Sequence, residues 1–194
     1  MANQAPELTI DTPNNDEKLR SDVVTVEGKV EADHLDYVEV NGIKAEVNGS
    51  SYSKRIILDE GENTIEVIAE DQAGNKTTEQ ITVQVKTSTP KIEQLTPQED
   101  LYIETGESVA IEFESEPGLD AVFRIHMPLT STFGIMNTTE LPLMEVEDGR
   151  YVGYWTATDV TMEGAVLEVK VTDEFGNETY EKADGRLFVN SEGE

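Results

Sequence analysis

Two stretches of the form Asp-x-x-Gly-Asn, residues 71–75 and 173–177, carry the side chains best suited to binding chemistry in this protein of 194 residues. Asp71 and Asp173 are hard oxygen donors, and with turn carbonyls beside them they could serve calcium. Calcium takes about six to eight oxygens, and no D-x-D-x-D-G loop supplies them locally. The same residues have a mechanical reading: Asp starts a turn by accepting its own backbone N–H groups, and Gly takes the left-handed position that closes a hairpin. The turn is the preferred reading, and calcium at Asp71 and Asp173 the alternative. No other cofactor is expected.

Catalytic groups are scarce. The two histidines, His34 and His126, fall in different halves of the sequence, which holds no H-E-x-x-H, G-x-S-x-G, Walker A or G-x-G-x-x-G motif. A Ser-His-Asp arrangement needs convergence, which nothing local provides. In FRIHMP, Phe123, Ile125 and Met127 share one parity, so Arg124 and His126 should face outward on a strand. Paired carboxylates carry no information in a sequence with 41 acidic residues. The segment reads as non-enzymatic. Four N-x-S/T sequons start at Asn48, Asn75, Asn137 and Asn177, two of them by-products of the Gly-Asn turn, and they read as coincidence.

Binding surfaces are the remaining candidates. Residues 127–149 form an excursion longer than an ordinary sandwich connection, with Phe133, Ile135 and Met136 among its apolar residues. Its plain role is to cap an open edge of the core; its alternative is a recognition loop or an interdomain surface. In GRYVGYWTAT, Tyr151 and Trp155 share one strand parity and Tyr154 the other, so one set packs inward and the other could stack on a sugar.

These residues must be positioned by strands. Short alternating runs at 8–10, 23–30, 37–40, 43–47, 52–58, 64–70 and 79–86, with Asn41-Gly42 as a type I′ hairpin signal, predict an all-β sandwich with little helix. Val24, Val26 and Val30 share a parity, as do Ile65, Val67 and Ala69, and Ile81, Val83 and Val85. The second half repeats the plan. IEVIAEDQAGN at 65–75 aligns with LEVKVTDEFGN at 167–177, and Thr12-Pro13 recurs as Thr96-Pro97. The fold class expected is therefore all-β, two tandem immunoglobulin-like β-sandwiches. Residues 1–5 are a leading extension, 6–86 the first sandwich, 87–90 the linker (within KTSTP), 91–190 the second sandwich, and 191–194 a tail.

Charge narrows the partners. The sequence has 41 acidic and 14 basic side chains, a net of −27. A surface of that sign repels nucleic-acid phosphates and anionic membranes. There is no cysteine, so neither disulfides nor thiolate metal sites exist. No apolar run is long enough to span a membrane. The start, MANQAPELTI, has neither the basic nor the apolar stretch of a signal peptide, and the tandem plan favours a fragment of a longer protein.

The residues also carry a resemblance. VTVEGKV, YVEVNGIKAEV and LDEGENTIEVIAEDQAGNKTTEQITVQV resemble the bacterial immunoglobulin-like repeats of secreted Gram-positive proteins, including the module type found beside glucodextranase catalytic domains. ESVAIEFESEPGL, FRIHMPLT, TELPLMEVEDGRYVGYWTAT and DEFGNETYEKADGRLFVN resemble the C-terminal region of the bacillopeptidase F family, secreted subtilisin-like serine endopeptidases of bacilli. None of that family's catalytic motifs stands in this sequence. The resemblance implies an extracellular location, with cell-wall association as a further option. It implies a non-catalytic accessory segment acting as spacer or stabiliser, whose partners are the other domains of a parent protease. The alternative is a binding module for a cell-wall polysaccharide or a protein substrate.

Overall fold

The computed structural model describes residues 4–127 and 140–191, all strand, turn and irregular structure. Contacts divide the protein into two compact units, Met1–Ser88 and Thr89–Glu194.

The first unit contains β1 (Glu7–Leu8), β2 (Glu17–Leu19), β3 (Val23–Glu31), β4 (Leu35–Val40), β5 (Ile43–Lys44), β6 (Glu46–Asn48), β7 (Ser51–Ile57), β8 (Gly61–Asp71) and β9 (Lys76–Val85). They form a sheet in the order β1-β3-β7-β6 facing a sheet in the order β2-β9-β8-β4-β5. Strict alternation decides which side chains meet between the layers. Ile65, Val67 and Ala69 of β8 are fully buried, and Val26, Val38, Val40 and Val83 join them from both sheets. Each buried Val or Ile side chain contributes about 2 kcal/mol over an exposed one. Ile81 and Val24, expected in the core by parity, are partly buried at its margin.

The second unit contains β10 (Leu101–Ile103), β11 (Ser108–Glu114), β12 (Asp120–His126), β13 (Leu141–Glu147), β14 (Arg150–Thr156), β15 (Met162–Thr172) and β16 (Glu178–Val189). Its pairing runs β10-β16-β15-β12-β13-β14-β11. The core is heavier than in the first unit: Phe113 and Tyr151 stack with ring centroids 5.0 Å apart, and Phe123 and Trp155 are buried in the same cluster.

The two units share a way of starting. In the first, the leading segment lies antiparallel to β3 through Leu8↔Val30 and Thr12↔Glu27, passes the cis Thr12-Pro13 bond, and joins β9 in parallel through β2. In the second, Glu93 bridges Glu114 antiparallel, the cis Thr96-Pro97 bond follows, and β10 runs parallel to β16. The repeated Thr-Pro step thus lies where the backbone leaves one layer for the other.

Sequence and structure differ at two places. The run 43–47, expected as one strand, divides at Ala45. The Asn41-Gly42 hairpin returns Ile43 to pair with Val40, after which Val47 pairs with Tyr52 in the opposite sheet. In the second unit the corresponding crossing is made by one strand: β13 pairs with β12 through Leu141–Leu143 and with β14 from Met144 onward. The short strands β2 and β10 are also additions. Glu17, Lys18 and Leu19 hold a single apolar residue, too little to announce a strand, although Glu17 and Leu19 are half-buried at the edge of the sheet.

Candidate functional site

The two Asp-x-x-Gly-Asn stretches fold identically. Each begins where the penultimate strand of its unit ends, and Gly74 (φ 85°) and Gly176 (φ 87°) occupy the left-handed position that reverses the backbone. Asp71 Oδ1 accepts the backbone N–H groups of Ala73 and Asn75, both at 2.9 Å, and Oδ2 accepts the Asn75 side-chain amide at 2.8 Å. Asp173 repeats the set with Phe175 and Asn177, at 2.9, 2.9 and 3.1 Å. The backbones close the ring, Asp71 N–H donating to Asn75 O at 3.1 Å and Asp173 N–H to Asn177 O at 3.0 Å. The carboxylates are buried, yet each is surrounded by donors. The Asn75 amide is the largest influence holding the Asp71 carboxyl below the usual aspartate range; burial opposes it, and the backbone N–H groups of Asn75, Ala73 and Gly74 reinforce it. All these donors are protein N–H groups, the arrangement of a turn that satisfies itself. Among the described residues no three His, Asp or Glu come together in a way that could hold a metal ion.

Strand β14 sorts its aromatics by parity. Tyr151 is fully buried, and its hydroxyl donates to Glu116 O and accepts the Leu119 N–H, both at 2.8 Å. Trp155 is also buried, opposite Val109. Tyr154 faces outward and is 70% exposed. It shares the outer face of the sheet with Ala110, Val152 and Met144, bordered by the Arg150–Glu112 ion pair at 3.2 Å. Sequence reasoning gave Tyr151 and Trp155 as ligand candidates because it could not tell which parity faced the core. Tyr154, Met144 and Val146 are the large apolar side chains this strand pair presents to solvent. Phe133, Ile135 and Met136 lie outside the described residues.

His126 stands on the outer face of β12, its Nε2 3.2 Å from Glu168 Oε1, while Phe123 and Ile125 point into the core. Its neighbours there, Arg124 with Glu140 at 2.5 Å and Lys170 with Glu178 at 3.5 Å, form surface ion pairs. His34 is exposed and turns Nδ1 to the backbone oxygen of Asp33, its neighbour in sequence. The two histidines thus meet a carboxylate and a carbonyl, each in a different unit. A shallow groove of about 420 Å³ crosses the outer face of the first unit, lined among others by Asp11, Glu27, Lys29, Glu46, Asn48 and Ser53.

Comparison with known proteins fits this picture. Residues 6–87 match the family model described as glucodextranase, domain B. Over 191 residues, 97% of its length, the chain is 49% identical to bacillopeptidase F of Bacillus subtilis (strain 168), and it spans only 13% of that protein. Among solved structures, fibronectin(III)-like modules of Clostridium thermocellum CbhA share 16% identity with a TM-score of 0.54, covering 94% of each protein. The I67–I69 fragment of the titin I-band gives 11% identity and a TM-score of 0.57, over 97% of this sequence and 66% of that one. At such identities the structural likeness shows the fold, an all-β immunoglobulin-like or fibronectin III-like architecture. No helix among the described residues is long and apolar enough to cross a membrane.

Proposed function

We propose that this protein, so similar to a short stretch of bacillopeptidase F, acts as a non-catalytic accessory segment of a secreted subtilisin-like serine protease. It spaces and stabilises the protease without taking part in its chemistry. The observation that carries the reading is the near-complete alignment of the sequence with that stretch. The side chains support it: the polar groups best placed for chemistry, Asp71 and Asp173, are engaged in closing turns, and His126 sits beside Glu168 on an open strand face. A net charge of −27 keeps such a segment soluble outside the cell and apart from anionic wall polymers.

The exposed pair Tyr154 and Met144 favours a second reading, a binding module for a wall polysaccharide or a protein substrate. One experiment separates the two. The purified protein is sedimented with Gram-positive cell wall, chitin, cellulose and fibrillar protein, in calcium and in EDTA, and assayed with generic peptidase and glycosidase substrates. The accessory reading expects neither pelleting nor turnover. Saturable pelleting that disappears in Tyr154→Ala would establish the binding module instead, and turnover would overturn both.

A further inference from the structure

The first unit holds two Asn-Gly steps only seven residues apart, both at tight hairpins: Asn41-Gly42 is itself the turn between Val40 and Ile43, whereas Asn48 pairs with Ser51 and leads into the Gly49-Ser50 turn. Glycine after asparagine leaves the way open for the next backbone nitrogen to approach the side-chain amide. The fold treats the two asparagines differently. Asn41 takes φ 48°; its Oδ1 accepts the Glu66 N–H at 2.9 Å, and its own N–H donates to Glu66 O at 2.8 Å. Its amide is therefore fixed against β8. Asn48 ends the short edge strand β6, is exposed, and makes no side-chain hydrogen bond among the described residues. Gly49 follows with φ 64°, and nothing lies within 4 Å of the place a side chain would occupy.

We propose that Asn48 is a site of spontaneous deamidation, and that the fold selects it over Asn41. The Gly49 backbone nitrogen attacks Asn48 Cγ. The new bond closes a five-membered succinimide as the bond from Cγ to Nδ2 breaks, and ammonia leaves carrying the backbone amide proton. Water then adds to one of the two ring carbonyls. Opening at one restores the normal backbone with Asp; opening at the other gives isoaspartate, with one extra methylene in the main chain. Either product places a carboxylate in the groove that already holds Glu27 and Glu46. The isoaspartate also lengthens the backbone where β6 turns into β7, at the outer edge of its sheet.

The second asparagine is the internal control. The intact protein is incubated in mildly alkaline buffer and sampled by proteolytic peptide mapping with mass spectrometry, reading the gain of one mass unit and the split into Asp and isoAsp peptides. Asn48 should convert about tenfold faster than Asn41, the factor expected for releasing one or two hydrogen bonds before attack. In concentrated urea the scaffold is lost, and the two rates should come within about twofold of each other, since both steps are then held alike. Equal rates in the folded protein, faster loss at Asn41, or no reaction at Asn48 over a period in which both react in urea would overturn the proposal. So would a preference for Asn48 that persists undiminished in urea, because it would then come from local sequence alone.

Discussion

Asn75 donates twice to Asp71, through its side-chain amide to Oδ2 at 2.8 Å and through its backbone N–H to Oδ1 at 2.9 Å. One residue thus grips both oxygens of a buried carboxylate, and Asn177 does the same to Asp173 in the second unit. These bonds are strongest to the ionised carboxylate, so the last hairpin of the first unit is tied to the charge state of Asp71.

That tie sets a pH dependence. The Asp71 carboxyl is held below its ordinary value, first by the Asn75 amide, and neighbouring Glu70 is held low by the Tyr37 hydroxyl and then by Lys76. A lowered folded-state value means the stabilisation is fully present above the unfolded carboxylate pKa of about 4 and is lost as pH falls through the lower folded value. Acid titration followed by far-UV circular dichroism should show stability falling below about pH 4, with a shallower slope in Asp71→Asn measured at the same salt. Parallel slopes for the two proteins would remove Asp71 from the account.

Tyr151 offers a test of a neutral bond. Its hydroxyl joins Glu116 O and Leu119 N–H, closing the turn ahead of β12 from within the core. Tyr151→Phe keeps the ring stacked on Phe113 but leaves both backbone groups without that partner. Urea denaturation should register a loss of about 1–3 kcal/mol. A loss near zero would mean that water replaces the hydroxyl.

Gly185 is held by space. A Cβ there would sit 2.1 Å from Glu99 O and 2.5 Å from Glu99 C, both backbone atoms that cannot swing aside. Gly185→Ala should cost about 2–3 kcal/mol, at the upper end for overpacking, and should loosen β16 from the segment before β10. Amide hydrogen exchange at Arg186, whose N–H donates to Asp100 Oδ1 at 2.8 Å, should accelerate in the variant. An unchanged rate would count against the steric reading.

Trp155 reports on the same core. Buried on β14, it should emit at short wavelength and resist iodide quenching in the folded protein, with both properties reversed on unfolding. Red-shifted, readily quenched emission in the native protein would place the indole in water.

Much of the fold was legible because one face of each strand is buried. Ile65, Val67 and Ala69 announce β8 by parity alone, and Asn41-Gly42 marks its hairpin by the two positive φ values that turn demands. The recurring Asp-x-x-Gly-Asn was readable as a turn because its hydrogen bonds are local. The crossing at Ala45 was not: two tight hairpins stand back to back there, Val40 with Ile43 and Val47 with Tyr52, and only the packing of the two layers sends them into different sheets. Edge strands β2 and β10 were silent for a related reason: each forms only three register pairs, with a partner more than sixty residues away. The outward set on β14 stayed ambiguous because Tyr151, Tyr154 and Trp155 are equally apolar in composition, and only the core behind Tyr151 assigns the sides.

The parallel seating of β2 beside β9, and of β10 beside β16, has a mechanical consequence. In each unit a strand near the beginning and the strand at the end point the same way and lie side by side. Tension applied along the backbone pulls such neighbours in opposite directions along their length. The ladder bonds between them are then loaded together in shear instead of opening one after another, as they would in a hairpin peeled from its end. A segment joined this way resists stretching through the few residues that couple its first strands to its last.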